Sequence, residues 1–266
     1  MKALIFAAGL GTRLKPITDT LPKALVPVAG EPLLQILIEK LKSAGYNEVV
    51  INLHHFADKI RDYVANNNSF GIDVQFSDET DLLRETGGGI RHAARLLAGN
   101  EPFLVHNVDI ISNLNFEDFL DAHYSESISI DTPLATLLVS DRKTSRYLLF
   151  DSQNNLAGWM NLSTGEVKSP FQELRREPSG EFEAEKFLQE HGLRKYAFAG
   201  THIVSPEIFN IMDGWPEKFS IIDFYIGMAD KYIIKGYVKN DLELVDVGKL
   251  NSLDKAQELY LQLKNR

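Results

Sequence analysis

Over its first hundred residues the chain alternates short apolar runs with segments of helical periodicity, and that alternation leaves few folds open to it. Residues 2–7 are apolar after Lys2 and run into Gly9, the pattern of a strand buried on both faces. Residues 32–44 read as a helix, because Leu33, Leu34, Leu37, Leu41 and Ala44 recur at helical spacing behind Pro32, and Gly45 stops it. Strand-like runs follow at residues 48–53, 73–76 and 102–106, with helix-like segments at 57–66 and 86–97 between them. Regular β-α-β alternation implies an α/β protein with a mostly parallel central sheet and helices on both faces.

Beyond residue 130 the pattern changes, which predicts a smaller β-containing elaboration. Residues 133–139, 146–150, 156–159 and 196–204 look like strands. Between them, residues 165–195 hold 13 charged side chains in 31 positions, so this stretch reads as a solvated insertion or flap. Residues 250–263 place Leu250, Leu253, Ala256, Leu259 and Leu263 on one helical face and predict a packing helix. Phe116, Phe119 and Tyr124 also fall at helical intervals and are expected in the core. No internal repeat interrupts the 266 residues, which suit one large domain.

Composition removes several functions. A net charge of -9 leaves no broad basic face for nucleic acid or an anionic membrane. With no cysteine there can be no disulfide, thiolate metal site or cysteine nucleophile. The first apolar run is too short for a signal peptide, and Arg13 and Lys15 follow at once. No stretch approaches the roughly 20 apolar residues of a membrane span, so a cytoplasmic protein is expected.

Chemistry concentrates in three places. The first is Ala7-Ala8-Gly9-Leu10-Gly11-Thr12-Arg13-Leu14-Lys15, continuing to Pro22-Lys23. It fails the dinucleotide fingerprint, since Leu14 takes the third glycine position, and no Gly-Lys-Ser/Thr follows to make a P-loop. Arg13, Lys15 and Lys23 near a bare backbone loop nevertheless suit a triphosphate. The second is Glu85-Thr86-Gly87-Gly88-Gly89, where three glycines exceed what a threonine-capped helix start needs, so close approach of a ligand is expected. The third is Asp109 after one apolar run, and Asp246 at the end of another. Each alone would more often be a strand-end cap or surface charge. His54 and His55 point to opposite faces of a strand, and His92 and His191 have no ligand spacing, so none is taken as a metal ligand.

The run Gly9-x-Gly11-Thr12-Arg13-x3-Ile17-Thr18-x3-Pro22-Lys23-x-Leu25-x-Pro27 resembles the signature of the nucleotide-sugar pyrophosphorylases, and the resemblance extends over nearly the whole chain. It is most like bacterial N-acetylmuramate-1-phosphate uridylyltransferases, with mannose-1-phosphate guanylyltransferases next. The resemblance implies a Rossmann-like nucleotidyltransferase fold in which residues 1–130 bind nucleotide, 131–248 bind sugar phosphate, and 249–264 form the packing helix. It implies that Ala7, Ala8, Gly9, Gly11, Thr12, Arg13, Glu85, Thr86, Gly87, Gly88 and Asn107 contact the NTP, UTP rather than GTP from Glu85-Thr86-Gly87-Gly88-Gly89. Asp109 and Asp246 would hold Mg²⁺, an ion satisfied by two carboxylates plus phosphate oxygens and water. Arg13, Lys23 and Asp109 would be the catalytic set, and Lys23, Arg146, Asn161, Gly200 and Thr201 would meet the sugar 1-phosphate. Two departures stand out: Val108 replaces a glycine common in relatives, and Gly158-Trp159-Met160-Asn161 lacks the lysine of a Glu-Lys-Pro element. The implied partners are an NTP and a sugar 1-phosphate, with the protein a monomer or homodimer. A mannose- or heptose-1-phosphate guanylyltransferase, a phosphocholine-type cytidylyltransferase and a catalytically silent nucleotide-sugar sensor stay open beside it.

Overall fold

The structure, a computed structural model, describes residues 1–125, 132–178 and 182–266. The expected boundary between residues 130 and 131 lies outside the described residues, as do residues 179–181 of the charged stretch. In chain order the first half comprises β1 (Lys2–Phe6), β2 (Pro27–Val28), β3 (Glu31–Pro32), α1 (Leu33–Ser43), β4 (Glu48–Leu53), α2 (Ala57–Asn66), β5 (Asp73–Asp78), α3 (Glu85–His92), α4 (Ala94–Leu97), β6 (Phe103–Asn107), β7 (Ile110–Ser112) and α5 (Phe116–Ser125). The second half comprises β8 (Ala135–Ser140), β9 (Arg146–Phe150), β10 (Leu156–Asn161), β11 (Glu166–Lys168), α6 (Ala184–Glu190), β12 (Arg194–Val204), α7 (Ile208–Ile211), α8 (Ile221–Met228), β13 (Ile234–Val238), β14 (Leu244–Asp246) and α9 (Leu253–Lys264).

One sheet runs in the order β11-β10-β9-β12-β6-β1-β4-β5, with β8 and β13 joined to it through β12. Strands β1, β4, β5 and β6 are mutually parallel, since β1 pairs β4 and β6, and β4 pairs β5. The other half is mixed. β13 runs parallel to β8, whereas β12 is antiparallel to β6, β8 and β9. β12 is the element both halves share, and its register with β8 breaks between Phe198 and His202.

Alternation along β1 explains the two cores. Ala3 and Ile5 join the cluster under α1, α2 and α9, while Leu4 joins the opposite cluster under α3, α7 and α8. A strand buried on both faces must be apolar at every position, as β1 and β4 nearly are. α9 seats Ala256 and Leu259 against the first cluster, and Tyr260 Oη donates to Glu31 Oε2 at 3.0 Å.

Four expectations change. The single helix over 86–97 breaks at Ala93 into α3 and α4. Leu250 is exposed and lies in a 3-10 turn ahead of α9, so it does not join the packing face. Tyr124 is exposed too, its hydroxyl donating to Glu101 Oε2 at 2.7 Å, while Phe116 and Phe119 are buried as expected. Residues 165–195 are not simply a solvated flap. β11 and α6 lie there, and Phe182, Phe187 and Leu193 pack on Tyr147, Met160 and Leu188 as a third small core. The charge count hid an amphipathic pattern that covers the outer face of β9 and β10.

Three histidines are buried in these cores, and burial pushes His106 and His123 down to about 4 and His202 to about 3. Their folded-state values lie below the ordinary 6.5, so the unfolded chain takes up protons that the folded chain refuses. Stability is therefore present in full above pH 6.5 and is lost as pH falls toward 4. Urea midpoints should drop steadily between pH 6.5 and about 4.5, before most carboxylates titrate. A midpoint that stays level over that window contradicts this account.

Candidate active site

The site lies at the C-terminal ends of the parallel strands, where open α/β sheets bind ligands. A cavity of about 240 Å³ is lined by Phe6, Ala7, Ala8, Gly9, Lys23, Asn52, Leu83, Glu85, Thr86, Asn107, Val108 and Asp109. The loop that leaves β1 supplies one wall. Asn52 Oδ1, at the end of β4, accepts from Ala7 N at 2.6 Å and Ala8 N at 3.1 Å. Gly11 then turns at φ 62°, and a Cβ there would stand 2.8 Å from Thr18 Cγ2, so only glycine fits. Thr18 Oγ1 donates to Gly11 O at 2.8 Å and closes the turn, while Leu14 is buried and anchors it. Lys15, counted with the loop cations, turns away to Asp19 at 2.9 Å.

The charged cluster is built by two short strands. β7 and β14 pair antiparallel, with Asp246 opposite Ile110, and Val247 N donates to Asp109 O at 2.8 Å. Two carboxylates distant in sequence thus meet at one mouth of the cavity. Lys23 stands in a 3-10 turn that buries Ala24 and Leu25, and its Nζ pairs with Asp109 Oδ2. Crowding by neighbouring atoms, and then the charge of Asp109, raise the Asp246 carboxyl above the usual range, while Lys23 and Arg13 pull it down. The guanidinium of Arg13 reaches the same corner: a Cβ on Gly248 would lie 3.1 Å from Arg13 Nη2 and 2.7 Å from Asp246 Oδ1. Charges of alternating sign therefore gather at one corner, with Lys23 and Asp109 lining the cavity and Asp246 and Arg13 beside them. Among the described residues no group of three or more histidine, aspartate and glutamate side chains gathers as a metal cage. Two hard carboxylate oxygen donors suit Mg²⁺, which keeps waters and shares substrate phosphate oxygens.

The glycine run departs from expectation. Gly87 and Gly88 are buried beneath the segment before α8 and do not line the cavity. A Cβ on Gly87 would stand 2.3 Å from Phe219 Cε2, and one on Gly88 would stand 2.4 Å from Glu217 O. Gly87 N donates to Phe219 O at 2.9 Å. Gly87 makes room for the Phe219 ring and Gly88 for the Glu217 carbonyl. Thr86 does not cap its own helix; its Oγ1 accepts from Ile221 N at 2.9 Å and helps start α8. Glu85 and Thr86 do face the cavity, Glu85 at φ 60°.

The expected sugar-phosphate residues do not line this cavity, apart from Lys23. Thr201 is wholly buried, opposite His106 in register, and has no surface to offer a substrate. Gly200 sits at the break in β12 with φ 73°, where a Cβ would lie 2.7 Å from Asn107 Nδ2. It makes room for Asn107. Arg146 and Asn161 are register partners on β9 and β10. Val108 turns into the core, its N–H donating to Phe6 O at 3.1 Å. Asn52 is not among the expected site residues; its one mark in the sequence is a polar side chain inside the apolar run of β4.

A Gly-rich loop after β1, a convergent aspartate pair and a lysine on the same cavity define a phosphate-handling α/β enzyme class. The chain belongs to the nucleotidyl transferase family, which matches residues 2–262. It is 43% identical over 116 residues to the N-acetylmuramate alpha-1-phosphate uridylyltransferase of Neisseria meningitidis serogroup B, covering 44% of this chain and 50% of that one. It is 27% identical over 259 residues to the UTP–glucose-1-phosphate uridylyltransferase of Synechocystis, covering 94% of this chain and 61% of that one. The chain thus spans about half the length of the curated relatives it matches first. HddC from Yersinia pseudotuberculosis, in a crystal structure with GMP-PN, superposes with a TM-score of 0.69 at 24% identity, over 97% of this chain and 98% of that one. That likeness supports the Rossmann-like fold.

Packing around the glycines can be tested by melting. Gly87→Ala should lower stability by about 1–3 kcal/mol through the forced clash with Phe219, despite the better helix propensity of alanine. Adding Phe219→Leu should recover part of that loss. Gly9→Ala, with nothing within 4 Å of its Cβ, should leave the melting temperature unchanged. A Gly87→Ala protein as stable as the parent removes the packing explanation.

Proposed function

We propose that this protein transfers a nucleotidyl group from a nucleoside triphosphate, UTP by preference, to a sugar 1-phosphate and releases pyrophosphate. The observation that carries this is the convergence of Lys23, Asp109, Asp246 and Arg13 at one cavity mouth. The acceptor phosphate is already anionic at neutral pH, so the difficulty is bringing two polyanions together rather than removing a proton. Positioning and charge neutralisation are then the whole task. Arg13 would meet the departing pyrophosphate, and Lys23 the α-phosphoryl group and the incoming sugar phosphate. Asp109 and Asp246 would hold Mg²⁺, which supplies further neutralisation among the phosphate oxygens when bound.

The uridylyl preference rests on Glu85-Thr86-Gly87-Gly88-Gly89 and on the two relatives named N-acetylmuramate alpha-1-phosphate uridylyltransferase. N-acetylmuramate 1-phosphate is accordingly the first acceptor to try. On the same proposal, residues 1–266 act as one nucleotidyltransferase domain.

Pyrophosphate release measured with UTP, GTP, CTP and dTTP against a panel of sugar 1-phosphates tests the assignment directly. UTP should give the highest kcat/KM, and a higher value with GTP or dTTP would overturn the donor. EDTA should abolish turnover, and so should Asp109→Asn, with the melting temperature nearly unchanged. Full activity in EDTA excludes the two-aspartate metal site. Lys23→Ala should lower kcat by roughly a hundredfold, the usual cost of one preorganised electrostatic contact. Arg13→Ala should instead weaken binding of the NTP and of pyrophosphate, and a Lys23→Ala enzyme with normal kcat removes that lysine from the chemistry.

A further inference from the structure

Behind the cavity runs a buried polar bridge that connects its two walls. Asn52 Oδ1 holds the amides of Ala7 and Ala8, and Asn52 Nδ2 donates to Glu79 Oε1 at 3.0 Å. Glu79 Oε2 accepts from Arg84 N at 3.1 Å, between Leu83 and Glu85 on the opposite wall. Glu79 is fully buried, with its own N–H donating to Leu53 O at 2.8 Å. Space for its carboxylate exists because Gly89 lacks a side chain; a Cβ there would stand 3.0 Å from Glu79 Oε1. A buried carboxylate is a poor stabiliser compared with an apolar residue of the same volume. What this one does offer is geometry, because each of its oxygens fixes a different wall.

We infer that Asn52 and Glu79 are positioning residues, which hold the Ala7–Gly9 loop at a fixed distance from the Leu83–Thr86 wall so that the triphosphate meets a preformed cradle. This rests on the nucleotide occupying the cavity described above. Neither residue need touch the reacting atoms. Asn52 presents its carbonyl to the loop and its amide to Glu79, and the carboxylate locks that orientation, since the reversed amide would face it with an oxygen. Lost preorganisation of this kind appears in NTP capture and use rather than in the handling of the sugar phosphate.

The hydrogen-bond pattern allows an exchange test. Asn52→Asp places an oxygen against Glu79, and Glu79→Gln leaves an amide facing either Asn52 or Arg84 with a donor. The combined Asn52→Asp/Glu79→Gln protein satisfies every contact again. Its new carboxylate at position 52 accepts from the loop amides and from the new side-chain amide at position 79, whose carbonyl oxygen accepts from Arg84 N. Each single exchange should raise KM for the triphosphate by about tenfold or more, with KM for the sugar 1-phosphate within about twofold. The combined exchange should return KM for the triphosphate to within about threefold of the parent. Because the loop serves the triphosphate and not the base, the single exchanges should act in equal proportion on UTP, GTP, CTP and dTTP. That proportionality separates failures: a donor ranking without UTP at its head sinks the uridylyl assignment alone. Asn52→Ser, which loses both loop contacts and the contact to Glu79, takes the place of a single exchange that fails to fold, and the same rise in KM is expected. Single variants with lowered melting temperature but parental KM for every triphosphate would falsify the positioning role. A combined variant no better than its parts would show that the two side chains do not act through one bridge.

Discussion

Asp109 and Asp246 carry like charges at one cavity mouth, and keeping them there is the constraint on which the surrounding structure depends. Left alone they would repel each other, and the raised Asp246 carboxyl records that repulsion together with its crowding. Two devices oppose it. The β7–β14 ribbon fixes the backbones, with Val247 N–H on Asp109 O. Lys23 and Arg13 then place positive charge against each carboxylate, and a charged group near a protein surface feels such partners strongly at short range. The outcome is a patch of mixed sign that can take up a polyanion and a divalent cation without a large net field of its own. Against an overall charge of -9, the cations gathered here make a local exception.

Much of this was legible in the sequence because each signal had a backbone cause. Strands β1, β4 and β6 had to be apolar along their length since they are covered on both faces, and their periodicity gave the parallel half almost residue for residue. Asp109 could be placed at a strand end, and Arg13 and Lys23 beside a glycine turn, from spacing alone. Their roles came from the likeness to a family, not from spacing. That Asp246 meets Asp109 was not legible in either aspartate, because the pairing of β7 with β14 is a tertiary fact between three-residue strands too short to carry a pattern.

Where the sequence misled, one pattern served two physical purposes. A run of glycines signals close approach, yet it does not say of what; at Gly87 and Gly88 the approaching group is the segment from Glu217 to Phe219. Dense charge at residues 165–195 suggested solvent, but charge on one face of α6 leaves the other free to pack. Thr201 is buried in the middle of the sheet, because β12 continues past the break at Gly200 between β6 and β8. Asn52 was missed because a single amide in an apolar strand is easily taken for tolerance, although a buried amide needs partners and here has three.

The late position of β14 and α9 has a consequence for synthesis. The parallel half is encoded first, and a chain emerging from the ribosome at about 5–20 residues per second can pair β1, β4, β5 and β6 long before its end is made. Asp246 arrives only with β14, and the first core lacks Ala256 and Leu259 until α9 docks beside β2, just after the turn that carries Lys23. A nascent chain can therefore form the glycine-rich loop after β1 while its carboxylate pair is still half made. Completion of the charged mouth therefore waits on the C-terminal segment, and a chain cut short before it lacks the second aspartate and leaves an apolar face of the first core uncovered.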